Sequence, residues 1–145
     1  MLKTIGGVIV GYLVMFIVVF ATFSGAYLAM GTDGAFKAGS YEVTPLWLGV
    51  SFVLSLIAAI AGGFVCAAIA KNPKATMALA GLVLILGILF AIPVLTASNE
   101  GRPQVREASV GNMEAMTNAR QPGWVAVLNP IIGAIGVMLG ARLKK

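Results

Sequence analysis

Four stretches of this chain carry no charged residue: Thr4 to Thr32, Val43 to Ala70, Ala75 to Asn99 and Gln121 to Ala141. A helix rises about 1.5 Å per residue, so about 20 apolar residues cross the hydrocarbon core of a bilayer. All four stretches reach that length. The pattern predicts an all-α membrane protein, a four-transmembrane-helix bundle that forms a single integral membrane domain over residues 1–145. Its spans fall at about 5–30, 45–70, 75–97 and 122–141, with loops at 31–44 and 98–121 and a turn at 71–74.

The polar positions between these runs say how the spans are joined. Gly31 to Glu42 is rich in turn formers, and Asp33, Lys37 and Glu42 hold it in water. Thr44 then fits a helix N-cap, with Pro45 at the first helical position and Trp47 at interfacial depth. Lys71-Asn72-Pro73-Lys74 is a tight polar turn, which predicts an antiparallel hairpin of spans two and three. Pro93 cannot donate to the carbonyl of Leu89 and should kink the third span. The longest polar segment, 98–121, contains Met113 and Met116 three residues apart, consistent with a short amphipathic helix on the membrane surface. Lys3 precedes an apolar run longer than a signal-peptide core, so the first span is expected to be a retained anchor.

Small residues recur at helical spacing in the second span. One ridge reads Ala58, Gly62, Cys66, Ala70, and the next reads Ser55, Ala59, Gly63, Ala67. The last span carries Gly133, Gly136 and Gly140. Lipid is as apolar as leucine, so spanning helices associate by close backbone approach, which such spacing permits. Ala58, Ala59, Gly62, Gly63, Cys66, Ala67, Gly133, Gly136 and Gly140 are therefore the expected helix-packing residues, and the second span the expected centre. The lone Cys66 reads as one of these small residues rather than a lipidated or redox thiol. In the first span Tyr12, Phe16, Phe20, Phe23 and Tyr27 form an aromatic stripe. That stripe reads as lipid-facing or packing surface before it reads as a pigment- or quinone-stacking face.

Composition supports this class: 59% of residues are hydrophobic and only 10% charged, against about 25% charged in soluble domains. The net charge is +5, but the charges are scattered singly and form no basic face for nucleic acid. Their distribution instead predicts orientation. Lys3, Lys71, Lys74, Arg142, Lys144 and Lys145 share one side with no acid, while all five acids accompany Lys37, Arg102, Arg106 and Arg120 on the other. Both termini are thus expected in the cytoplasm, and the compact loops suit a bacterial cytoplasmic (inner) membrane.

Histidine is absent, which removes histidine-ligated haem, chlorophyll and zinc. No ionisable carboxylate, lysine or arginine lies within a span, which argues against proton-coupled antiport, a retinal Schiff base and voltage sensing. No catalytic, cofactor or metal residue is singled out, and an enzyme is not expected. The membrane-embedded polar residues Ser51, Ser55 and Asn129 gather in the outer half and define a possible outward-facing crevice. Two functions fit. The first is a structural or accessory subunit that packs through Gly/Ala ridges against other membrane subunits or copies of itself. The alternative is an oligomeric channel or carrier for a small neutral or hydrophobic solute in that crevice. Lipids are the expected surroundings in both.

Overall fold

The structure, a computed structural model, describes residues 1–37, 42–96 and 123–144, with Val94 described by its backbone alone. Four helices order the chain: α1 (Leu2–Ala35), α2 (Pro45–Ala70), α3 (Pro73–Thr96) and α4 (Gly123–Leu143). Each is long and apolar enough to cross a membrane. The surface-helix reading around Met113 and Met116 lies outside the described residues, as does the rest of the 98–121 loop.

The helix ends follow their local chemistry. Thr44 caps α2, its hydroxyl oxygen accepting from the Trp47 amide at 3.2 Å, with Pro45 in the first turn. Asn72 caps α3 in the same way, accepting from the Lys74 amide at 3.0 Å. The loop after α1 differs from the expected open turn. Gly31 breaks the helix at φ 74°, a left-handed backbone that glycine adopts without penalty, and helix then resumes through Ala35. The membrane part of α1 therefore ends near Met30, and the added turn sets up an antiparallel bridge between Phe36 and Val43.

α2 uses both of its small ridges. A methyl group at Gly11 of α1 would come within 2.8 Å of the Gly62 carbonyl oxygen and 2.9 Å of Cys66 Cβ, and one at Gly7 within 2.9 Å of Ala70 Cβ. The first ridge thus meets α1. The second meets α4: a methyl group at Gly136 would lie 2.5 Å from Ala59 Cβ, and one at Gly63 would fall on the Val137 carbonyl. Ala58, Ala59 and Cys66 are fully buried. These approaches bring backbone against backbone, which maximises van der Waals contact where no hydrophobic force operates between helices.

α4 shares the central role. It packs on α2 with one side and on α3 with the other, where the Pro130 ring seats on Gly87 and Gly133 faces Val83. The order around the bundle is α1, α2, α4, α3. Although the Lys71–Lys74 turn joins α2 to α3, the two touch only sparsely, because both small ridges of α2 are taken by α1 and α4. α1 and α3 also meet sparsely, at a level that includes Gly11 and Leu79. Both termini and the Lys71–Lys74 turn lie at one end of the bundle, here called the basic end; the Phe36–Val43 bridge marks the loop end.

Candidate functional site

The incomplete α1–α3 contact leaves a cleft of about 480 Å³ in the membrane-spanning part of the bundle. Its walls come from α1, through Tyr12, Met15, Phe16 and Val19, and from α3, through residues between Val83 and Ala91. Its floor comes from Ser55 of α2 and from Ala126, Asn129, Pro130 and Gly133 of α4. Phe16 and Phe90 flank it with 62% and 68% of their surface exposed. Both rings stand on the lipid-facing surface, so the mouth opens sideways, between α1 and α3.

Polar groups on this apolar cleft are few: the Tyr12 phenol, the Ser55 hydroxyl and the Asn129 amide. Asn129 Oδ1 is buried and has no hydrogen-bond partner among the described residues. Next to it, Pro130 has no N–H, so the carbonyl of Ala126, also on the cleft, lacks its helical donor. A buried amide oxygen without a donor costs about 1–3 kcal/mol. Two residues in the floor of one apolar recess, Ala126 and Asn129, thus each carry an acceptor without its usual donor.

The expected crevice residues separate. Ser55 and Asn129 line the same cleft. Ser51, one turn away, is buried and donates to the Leu48 carbonyl of its own helix at 2.8 Å. Thr22 and Thr96 likewise donate to Val18 and Ile92 carbonyls, the ordinary fate of a hydroxyl in a spanning helix. Tyr12 was hidden in the aromatic stripe. The signal for it was its phenol, a group that needs a partner at a depth where the other stripe members near it, Phe16 and Phe20, have none to satisfy. The stripe itself divides: Phe16 and Phe20 are exposed, while Phe23 and Tyr27 make edge-on ring contacts with Trp47 at the loop end, at 5.9 and 6.2 Å between centroids.

Of the packing residues, Gly62, Gly63, Gly133, Gly136 and Gly140 are buried between helices of this chain, and Ala67 is half-buried. Among the described residues no cluster of three His, Cys, Asp or Glu could hold a metal ion. No family model, curated protein or solved structure matches the chain. The fold defines its class: an integral membrane protein built as a bundle of four apolar helices.

Proposed function

We propose that this chain is a binding or carrier protein for a small, uncharged amphiphile that reaches the α1–α3 cleft sideways from the lipid. The observation that carries the reading is Asn129, which lines a recess of about 480 Å³ and whose buried Oδ1 has no hydrogen-bond partner among the described residues. That volume lies within the usual range for small-molecule sites, about 300–1,000 Å³, and the ratio of apolar wall to polar contact is that of such sites. A hydroxyl or amide headgroup would donate to Asn129, and its tail would lie between Phe16 and Phe90. The absence of ionisable residues from the spans supports an uncharged guest. In this reading the basic end lies in the cytoplasm of a bacterial inner membrane, as the lysine and arginine bias supports.

A second reading is an accessory subunit or homo-oligomer. Most of the glycine ridges are occupied within the chain, so that role would use the glycines that face open space at the loop half, Gly25 of α1 and Gly49 of α2.

The test places single cysteines at 55 and 129 in a Cys66→Ala background and compares two thiol reagents, one lipid-soluble and one charged. Labelling by the lipid-soluble reagent alone supports a cleft that opens to lipid. Labelling by the charged reagent as well would make the mouth aqueous. Protection of both positions from both reagents would remove the site.

A further inference from the structure

A second pocket, of about 510 Å³, lies at the basic end, between the end of α2, the start of α3 and the end of α4. Three cations stand on it: Lys71, Arg142 and Lys144. All three are exposed, and none of them has an acidic partner among the described residues, where the ion pair is Lys37–Glu42 at the opposite end. Among the described residues no acid stands at this end, since Asp33 and Glu42 belong to the loop end. Three like charges around one pocket repel one another and attract an anion.

The other wall is of a different kind. Met77 and Met138, 64% and 41% exposed, line the same pocket and continue into the lipid-facing surface of α3 and α4. Thr76 is buried on the pocket wall, and no hydrogen bond holds its hydroxyl among the described residues. The first amide of α3 is already used by the Asn72 cap, so recognition falls to side chains. Cations and a hydroxyl at the membrane boundary, with flexible apolar side chains just below them, match a phosphate joined to acyl chains. A free anion would use the first group and leave the methionines unused.

We infer that the pocket at the basic end is a binding site for an anionic phospholipid, with the phosphate held by Lys71, Arg142 and Lys144 and an acyl chain lying on Met77 and Met138. The site is separate from the α1–α3 cleft and does not depend on what that cleft binds. It accords with a cytoplasmic basic end, because basic pockets between spanning helices on that face hold anionic headgroups.

The experiment uses the full chain in mild detergent and titrates dioleoyl phosphatidylglycerol, dioleoyl phosphatidylcholine and sodium phosphate, reading thermal protection and the lipid-bound species by native mass spectrometry. Phosphatidylglycerol should bind at least tenfold more tightly than phosphatidylcholine. Each of Lys71→Ala, Arg142→Ala and Lys144→Ala should weaken it about fivefold, and the triple variant about a hundredfold. The charge-preserving triple Lys71→Arg, Arg142→Lys, Lys144→Arg should keep most of the affinity, which separates lost charge from a damaged fold. Lys37→Ala, which removes a charge at the opposite end of the bundle, should cost less than twofold. Equal binding of the two lipids, an equal loss from Lys37→Ala, or protection by phosphate alone that lipid does not exceed would each overturn the inference.

Discussion

Ala59 of α2 and Gly136 of α4 face each other across the central interface, and the contacts on either side of them are exchanged. Gly63 lies on the backbone of Val137, and Gly140 lies on the backbone of Ile60. The separation in sequence that takes Ala59 to Gly136 also takes Ile60 to Val137 and Gly63 to Gly140. The α2–α4 contact is therefore isologous in form, like the interface of a two-fold dimer, but made within one chain. Since α2 and α4 run in the same direction, the local axis lies along the bundle, the relation of parallel repeats in membrane proteins.

Reciprocity makes a prediction about stability. A methyl group at position 63 or 140 would strike partner backbone, which cannot turn aside as a side chain can. Gly63→Ala and Gly140→Ala should each destabilise the bundle by about 1–3 kcal/mol, and by similar amounts. Gly81 of α3 faces open space, so Gly81→Ala should be neutral or stabilise by up to about 1 kcal/mol through helix propensity. Unfolding by a denaturing detergent, followed by circular dichroism, measures all three. Unequal losses at 63 and 140 would show that the exchanged contacts are not equivalent in energy.

Asn129 should trade stability against binding. Its Oδ1 is buried with no partner among the described residues, so Asn129→Leu, of nearly the same size, removes an unsatisfied acceptor. The variant should be more stable by about 1 kcal/mol or more, and should retain less of any amphiphile extracted with the wild type. A loss of stability would mean that the amide is bonded within the fold, and the cleft would lose its main polar contact.

Thr44 joins the loop-end termini of α1 and α2 more firmly than the nearby ion pair does. Its hydroxyl donates to the Gly34 carbonyl at 2.7 Å and accepts from the Trp47 amide, so one side chain ties the last turn of α1 to the first of α2. Thr44→Ala should cost about 1–2 kcal/mol, and Thr44→Ser much less. Lys37 and Glu42 are 2.8 Å apart but each is 52% exposed, so Lys37→Ala should cost no more than about 0.5 kcal/mol. Thermal scans of the three variants in one detergent check the order.

The spans were legible because a charge-free run of that length has no other stable use, and α2 ends at Ala70 where the sequence places it. Its two ridges were legible because i and i+4 positions share a helix face. Which helix each ridge meets was not, because spacing names a face and no partner. The tight Lys71–Lys74 turn pointed to α2 beside α3, yet the Pro130 ring needs the hole at Gly87, and this draws α3 onto α4 instead. A clue to the exchanged α2–α4 contact did stand in the sequence: Pro45-Leu46-Trp47 and Pro122-Gly123-Trp124 are separated by the same interval. The cleft was half legible. Ser55 and Asn129 stood out as polar residues in apolar runs, but Ser51 stood out equally, and only the structure separates it from them, off the cleft and bonded to the Leu48 carbonyl.

Cys66 offers a direct reading of the α1–α2 contact. It is fully buried, with Cβ against Gly11, and a buried thiol does not react. In the folded wild type Cys66 should resist a maleimide until the helices part, so the labelling rate follows the opening equilibrium. Gly11→Ala places a methyl group on the Gly62 carbonyl and beside Cys66, and should weaken that contact by about 1–3 kcal/mol. Labelling should then speed up about tenfold or more, since about 1.4 kcal/mol is a factor of ten in an opening constant. Gly25→Ala, on the same helix but facing open space, should leave the rate unchanged. If both variants label at the wild-type rate, α1 does not seal α2 at Cys66, and the first ridge of α2 has another partner.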